Sequence, residues 1–403
     1  MRIEKVFYLC GGHRSLIFVV DTEYDITQAM ANYQLKTLLS IAELPALEWN
    51  QLAGENPFLQ FAFLAALERT ACAVPETGWH SQYLLCFENS KLVGAMPLYF
   101  KTHSYGEFVF DWAWADAYQR SGLPYYPKLI SAIPFTPVAG KRILADSPEV
   151  RLALLKGALQ IAKQTKVSSL HILFPTAAEA REMEEAGFLL RQGVQFHWRN
   201  KEYQSFDDFL AGLRHDKRKK IKQERRKVRE AGISFRKLSG NEISELDWDF
   251  FYQCYENTHR QYQSPQPMNR DFFRAMASEM ANSILLIIGE RAGKPICAAL
   301  NFIDGNAIYG RSWGALEQHD SLHFETCYYQ AIDFCIEKKL QLFEGGAQGE
   351  HKLARGFLPE TTWSAHWLAQ PEFFHAVENY LSAEKGKMAL YVNELMDSNP
   401  FRK

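Results

Sequence analysis

Glu350, His351, Lys352 and Arg355 stand a few residues behind a glycine pair, Gly345-Gly346, in the stretch LQLFEGGAQGEHKLARGFLP (340–359). An acid, an imidazole and two cations in so short a span are the groups that proton transfer and anion stabilisation need. The glycines open backbone angles closed to other residues and let a ligand approach the main chain. If the residues behind them are helical, free N–H groups and a positive dipole end point the same way, which suits a phosphate or a carbonyl oxygen. His351 and Glu350 are the candidate bases, and Lys352 and Arg355 the candidate holders of a phosphate or an oxyanion. Glu344, Gly345, Gly346 and Gln348 would bind donor or substrate beside them. The alternative is an ordinary strand–turn–helix with solvated charges.

Other groups add to this set. His323-Phe324-Glu325 opens a long helix; Ser321 is placed to cap it and Glu325 to complement its dipole, which leaves His323 as a catalytic candidate. Tyr309 and Arg311 alternate on a strand, so both side chains share one face. If that face is a cleft, Tyr309 is a catalytic and Arg311 a binding candidate. In the first half Asp111 lies in a segment that reads as an apolar strand, where an unpaired carboxylate is costly. It is either satisfied structurally or part of a substrate groove between domains. Aromatic residues surround it (Tyr105, Phe108, Phe110, Trp112, Trp114, Tyr118, Tyr125, Tyr126), as in a ligand groove or an aromatic core strand.

The run Arg214–Arg229 holds ten Lys or Arg residues against Asp216 and Glu224. Leu210, Leu213, Ile221 and Val228 give it a narrow apolar seam, and its other faces are positive. Read as function this is a phosphate contact surface, with Lys217, Arg218, Lys222 and Arg225 reaching tRNA or a nucleotide-linked precursor. Read blandly it is a solvated helix linking two domains.

The whole-chain charge of −2 excludes the global basic field of a dedicated nucleic-acid binder. Seven scattered cysteines with no C-x-x-C, and no histidine cluster at zinc spacing, imply no metal site and argue for reduced thiols in a cytoplasm. No apolar run approaches the roughly 20 residues of a membrane span. Gly11–Arg14 interrupts the only apolar stretch near the start, so no secretory pattern is present. Met30 is an alternative start, an expectation that mass spectrometry of the native N-terminus would check.

These groups need elements to position them. After the leader, Leu35–Ile41 reads as a strand, Glu43–Ala53 as a helix, and Asn56-Pro57 opens a helix Phe58–Arg69. Tyr83–Glu88 and Lys91–Phe100 are strands joined at Asn89-Ser90, and Glu107–Trp114 is a third. Residues 115–146 carry four prolines and read as an irregular insertion. Ser147-Pro148 starts a helix to Thr165 with Leu152, Leu155, Leu159 and Ala162 on its apolar face. Ser169–Phe174 is a strand, Ala177–Ala186 a helix and Val194–Arg199 a strand. The second half repeats the order: strand Ile233–Leu238, helices Glu245–His259 and Asn269–Met280, strands Ile284–Glu290, Pro295–Ile303 and Ala307–Trp313, helix His323–Lys338, strand Leu340–Glu344, a helix start at Glu350–Arg355, and strand Thr362–Leu368.

Residues repeat as well as elements. Gly187-Phe188 precedes His197-Trp198 by ten positions, and Gly356-Phe357 precedes His366-Trp367 by ten. Two copies of one domain explain this better than a solenoid, whose unit is far shorter. The layout is an N-terminal extension (1–32), a first domain (33–204) with the insertion 115–146, a basic linking helix (205–230), a second domain (231–385) and a C-terminal tail (386–403).

This mixed α/β order resembles the GNAT N-acetyltransferase fold, in which the sheet splays between its fourth and fifth strands around the acyl donor. Two such domains in tandem resemble the FemAB aminoacyl transferases of peptidoglycan synthesis, and more closely the FemAB-like predicted N-acyltransferases. The resemblance rests on NPFLQFAFLAALE (56–68), PLYFKTHSYGEFVFDWAWADAY (97–118), YYPKLISAIPFTPVAGKRIL (125–144), QFHW (195–198), KRKKIKQERRKV (217–228), YGRSWGA (309–315) and EGGAQGEHKLARGF (344–357). It implies transfer of an acyl or aminoacyl group to an amine, either a small molecule or a peptide such as a cell-wall precursor. The donor would be acyl-CoA or an aminoacyl-tRNA. Lys352 and Arg355 match the Lys…Arg/Lys-Gly-Phe segment of FemAB proteins, and the basic helix resembles the one that opens their second domain. One feature departs from acetyl-CoA-dependent GNAT enzymes: Trp313–Leu322 has one glycine, where they carry an Arg/Gln-x-x-Gly-x-Gly/Ala pyrophosphate loop. The competing expectation is a catalytically silent two-domain module that binds an anionic ligand such as tRNA.

Overall fold

The computed structural model describes residues 2–10, 13–21, 33–347 and 349–402; Met30 and Gln348 lie outside them. Arg2–Cys10 (β1) and His13–Asp21 (β2) pair as an antiparallel hairpin. Contacts gather the chain into two units.

The first unit comprises Met1–Gly54, Ala73–Arg191 and Trp363–Glu384. Its further strands are β3 (Tyr33–Leu38), β4 (Trp79–Ser81), β5 (Tyr83–Glu88), β6 (Lys91–Met96), β7 (Tyr99–Lys101), β8 (Lys128–Ser131) and β9 (Ser169–Leu173). β3, β5 and β6 pair antiparallel, and Asn89 and Ser90 take the positive φ that a two-residue hairpin turn requires. β4, β7, β8 and β9 lie side by side, with only β8 and β9 parallel. Helix Pro148–Thr165 starts where expected: the Ser147 hydroxyl accepts from Val150 N–H at 3.4 Å. Its buried stripe is Val150, Leu154, Ala158 and Ile161, flanked by Leu155 and Ala162, so Leu152 faces solvent instead. Positions 150, 154, 158 and 161 follow the 3.6-residue period more closely than the expected set.

Two expectations fail here. Glu107–Trp114 is not a strand: Phe108 sits at φ 61°, and Trp112–Arg120 is a helix. Its apolar/polar alternation comes from inward carboxylates, described below, and not from a pleat. The insertion 115–146 is not wholly irregular either, since it ends that helix and contributes β8, the parallel partner of β9.

The second unit comprises Glu55–Cys72, Gln192–Thr362 and Lys385–Lys403. It holds β10 (Leu189–Arg199, from Gln192 on), β11 (Ile233–Ser239), β12 (Ile284–Arg291), β13 (Lys294–Ile303), β14 (Ala307–Ala315) and β15 (Leu342–Glu344). β11 to β14 form an antiparallel meander; β15 adds in parallel to β14, and β10 adds antiparallel to β15. The long helix 322–338 contains a π-turn at Glu325–Tyr329 and ends at Lys339 in the left-handed region. Its counterpart Pro148–Thr165 ends the same way at Lys166, which extends the internal repeat to the helix stop.

Chain order and contacts divide the protein differently. Helix Phe61–Arg69, placed by order in the first domain, packs in the second unit, with Phe58 tilted against Phe302 and Phe63 edge-on to Phe272. The last strands are traded too. Gln192–Arg199 of β10 belongs to the second unit, and Trp363–Leu368 of β16 (Leu358–Leu368) pairs with β9 in the first. The expected tail 386–403 is largely the continuation of helix Pro371–Asp397.

β16 brings His366 directly opposite His171 of β9. Their Nδ1 atoms are 2.8 Å apart, and their Nε2 atoms meet Ser364 and Ser169 hydroxyls at 2.8 Å each. Burial holds His171 down at about 3 and His366 well below the usual histidine range. Burial likewise lowers His197 to about 3. A folded pKa below the unfolded value of about 6.5 means that the unfolded chain binds more protons as pH falls through 6.5. Stability contributed by these neutral imidazoles is therefore full above that pH and lost towards 3. Glu107, which burial raises to about 7, works the opposite way but is one group against three. The melting temperature should fall steadily between pH 7 and pH 4.5; a flat profile would contradict the neutral pair.

Candidate active site

β14 and β15 pair only from Ala307↔Leu342 to Tyr309↔Glu344. β14 then continues to Ala315 while β15 stops, so pairing between the two strands ends at that rung. It is here, between the fourth and fifth strands, that the GNAT-like reading expects the sheet to splay. At the same point β14 bulges: Gly310 faces Asn301 and Ser312 faces Leu300, leaving Arg311 as the extra residue. Bulges re-aim side chains, and here Tyr309 and Arg311 both reach Phe58, at 5.3 and 5.4 Å from its ring centroid. Tyr309 donates to Asp304 at 2.8 Å, and Glu344 lies close enough to Arg311 to influence its charge. Burial lowers Arg311 to about 10 despite that carboxylate.

Lys352 sits at the centre of a second group of residues. It is 2% exposed, and its ammonium donates to Gly346 O at 2.8 Å. Gly346 turns that carbonyl inward from φ 89°, a left-handed geometry glycine adopts without strain. Burial lowers Lys352 to about 8, and its charge is felt by His197, His323 and His351. His351 Nε2 is 3.0 Å from the Tyr328 hydroxyl. Its ring lies over Gly349 (φ 116°), where any Cβ would collide with the imidazole. Partial burial, with Arg355 and Lys352 nearby, holds His351 below its ordinary value, so it is neutral at pH 7. His323, lowered by burial to about 4, lies tilted against Trp313 and edge-on to Tyr328, with ring centroids 4.9 and 5.4 Å away.

Arg355 is held from three sides. Its guanidinium donates to Glu224 at 2.7 Å and to His351 O at 2.6 Å, and lies over the Phe324 ring at 3.3 Å. Glu224 also accepts from Tyr329 on the π-turn. The carboxylate that this turn needs therefore comes from the middle of the basic helix His215–Glu230. Its neighbour Arg225 pairs with Asp333 (2.8 Å) and Glu325 (3.2 Å) and covers Phe206. Arg225 is thereby a structural ion pair and less a free phosphate contact. The outer face of the helix remains cationic: Arg218, Lys219, Lys222, Arg226 and Arg229 line a groove of about 1100 Å³. Within it Lys222 has only a loose 3.4 Å pairing to exposed Asp207; Lys217 does not line the groove and pairs with exposed Asp216 at 3.1 Å.

Of the expected site residues, His323, His351, Lys352 and Arg355 come together, as do Tyr309, Arg311 and Glu344. Gly345 packs against Phe357 and the Lys352 stem. Glu350 does not join them; it is exposed and accepts from Tyr391 at 2.6 Å. Gln348 lies outside the described residues. Ser321 does not cap the long helix, because it sits at φ 67° with no side-chain bond to the helix; Glu325 is buried against Arg225 instead of serving the dipole. Asp111 is paired in the first unit through Oδ2, which accepts from Lys128 and from Tyr125 at 2.6 Å while Oδ1 is buried without a partner among the described residues, and it precedes a helix instead of lying in a strand. Tyr328, Tyr329 and Glu224 were missed. For Glu224 a signal existed: it follows Ile221 by three and precedes Val228 by four, on the apolar seam.

Among solved structures the chain resembles FemX, at 11% identity and a TM-score of 0.53, covering 83% of this chain and 98% of that one. It resembles equally the C-terminal domain of a candidate lysylphosphatidylglycerol synthetase from Agrobacterium fabrum, at 9% identity and a TM-score of 0.53, covering 84% and 96%. At such identities the likeness shows the fold, here two GNAT-like halves in one mixed α/β chain. No curated protein matches. No described helix is long and apolar enough to cross a membrane. The sequence matches the FemAB-like family, described as peptidoglycan biosynthesis/recognition, over residues 40–403, and the chain belongs to that family.

Proposed function

We propose that the second unit transfers an acyl or aminoacyl group to an amine, the acceptor being a peptidoglycan precursor. The observation that carries this is the buried Lys352 ammonium beside the neutral His351 imidazole, at the place where pairing between β14 and β15 ends. The amine nitrogen attacks the carbonyl carbon, the C–N bond forms, and a tetrahedral oxyanion develops opposite Lys352. His351 takes the proton from the attacking nitrogen, with its ring fixed by Tyr328 and Gly349. The C–O bond of an aminoacyl ester, or the C–S bond of a thioester, then breaks, and the proton passes to the leaving group. An ammonium in a poorly hydrated setting stabilises such an oxyanion far better than one in water. Arg355 holds the turn through Glu224, so its role is positioning.

The cationic groove of helix His215–Glu230 favours a donor with many phosphates, and we assign the donor as aminoacyl-tRNA ahead of acyl-CoA. The test offers purified protein a set of aminoacyl-tRNAs and acyl-CoAs with amine acceptors, and follows product by mass spectrometry. Product from tRNA donors is expected, with affinity that falls steeply as salt rises and weakens about tenfold in the Arg218→Glu/Lys222→Glu variant. Product from acyl-CoA alone would overturn the donor assignment. Salt-sensitive tRNA binding without product from any donor would favour a silent binding module.

A further inference from the structure

Between Tyr105 and Trp112 the carboxylates turn inward and the aromatic rings outward. Glu107 and Asp111 are buried, whereas Tyr105, Phe108, Phe110 and Trp112 are 62, 42, 58 and 43% exposed. The cause is Lys128, a fully buried cation whose ammonium donates to Glu107 (2.7 Å), Asp111 and Ser104 (2.7 Å). Two carboxylates four apart on one ammonium leave the intervening aromatics no inward path. The main chain is fixed as well. Lys101 donates to Tyr105 O at 3.2 Å, Phe135 N–H to Gly106 O at 3.2 Å, and Arg191, itself clamped by Glu384, to Phe110 O at 2.6 Å. The segment is a built platform, not a frayed loop, and keeping four aromatic rings in water opposes the hydrophobic effect.

We propose that this platform docks the protein on the interfacial layer of a lipid bilayer. Tryptophan, tyrosine and phenylalanine together suit that layer, where an apolar body and a polar edge are both accommodated. Insertion strips no water from the carboxylates of the segment, because Glu107 and Asp111 are already buried against Lys128 within the fold. The charges beside it are paired, Arg191 with Glu384 at 2.8 Å and Asp116 with Arg120 on the following helix at 3.0 Å, so the surface is matched to a zwitterionic interface and not to an anion. The four exposed side chains present on the order of 400 Å². That is the size of a functional apolar patch on a monomer, and about half of what one partner contributes to a stable protein interface, so a second copy of this chain does not suit it.

Co-sedimentation of the full chain with phosphatidylcholine vesicles tests this independently of any transferase activity. The wild type should partition onto these vesicles equally at low and high salt. Phe108→Ser/Phe110→Ser/Trp112→Ser should lower partition by about tenfold or more with an unchanged thermal melt, since the three side chains are exposed. If that variant melts early, Phe110→Ser alone serves, with a smaller expected loss. Absence of partition, or equal partition by a folded variant, overturns the proposal. Binding that needs phosphatidylglycerol and vanishes in salt overturns it in favour of helix His215–Glu230. Binding to insoluble peptidoglycan but not vesicles overturns it in favour of a glycan, and a dimer that the variant makes monomeric overturns it in favour of self-association.

Discussion

Lys352→Met should fold normally and lower turnover by about 10²–10³-fold, the usual cost of removing one oxyanion donor. Methionine keeps the buried stem and removes only the charge, so donor binding at the cationic groove should survive. The pH profile gives a second reading. In the proposed mechanism the reactive form has Lys352 protonated and His351 neutral. Rate should rise as pH climbs out of the range where His351, held below its ordinary value, is protonated. It should fall above about 8, as Lys352 loses its proton. In Lys352→Met that basic limb should disappear. A variant that retains most of its turnover, or that keeps the limb near 8, would remove Lys352 from the chemistry. Measuring single-turnover rates keeps binding and chemistry apart.

Lys128→Met should destabilise the protein by about 3–5 kcal/mol, the cost of breaking a buried ion pair from one side. Burial raises Asp111, but Lys128 and its hydrogen bonds outweigh that and hold it at about 2. Glu107 is raised by burial to about 7 even with Lys128 present. Without the ammonium both carboxyls have folded pKa values above their unfolded ones. The variant's stability is then greatest in acid and lost as pH rises through those values, whereas the wild type loses stability in acid. Adding Glu107→Gln and Asp111→Asn should restore much of the loss, because no buried charge is then left alone. Chemical denaturation at pH 5 and pH 8 checks this; equal loss at both would mean that Lys128 acts through packing.

Much of the architecture is written locally. Short apolar runs between turn residues mark β5, β6 and β12 to β14, which are buried on both faces for much of their length, and a 3.6-residue spacing marks both long helices. The duplication shows in the paired Gly-Phe and His-Trp dipeptides, and the candidate site turn in its density of glycine and charge. Local patterns misled where a distant residue set the outcome. Tyr105–Trp112 alternates like a strand, yet Lys128, sixteen residues beyond Trp112, turns its carboxylates in and its rings out. Glu224 looked like one acid among ten cations until Arg355 and Tyr329 arrived to use it. Which strands trade places between repeats cannot be read from either strand alone, since β9 and β15 accept any extended partner whose side chains fit. Residue types and local periods were thus determined by the sequence itself. The pairing of buried charges and the choice of strand partners were decided only by tertiary structure, because the energy of a buried charge belongs to the neighbours that neutralise it.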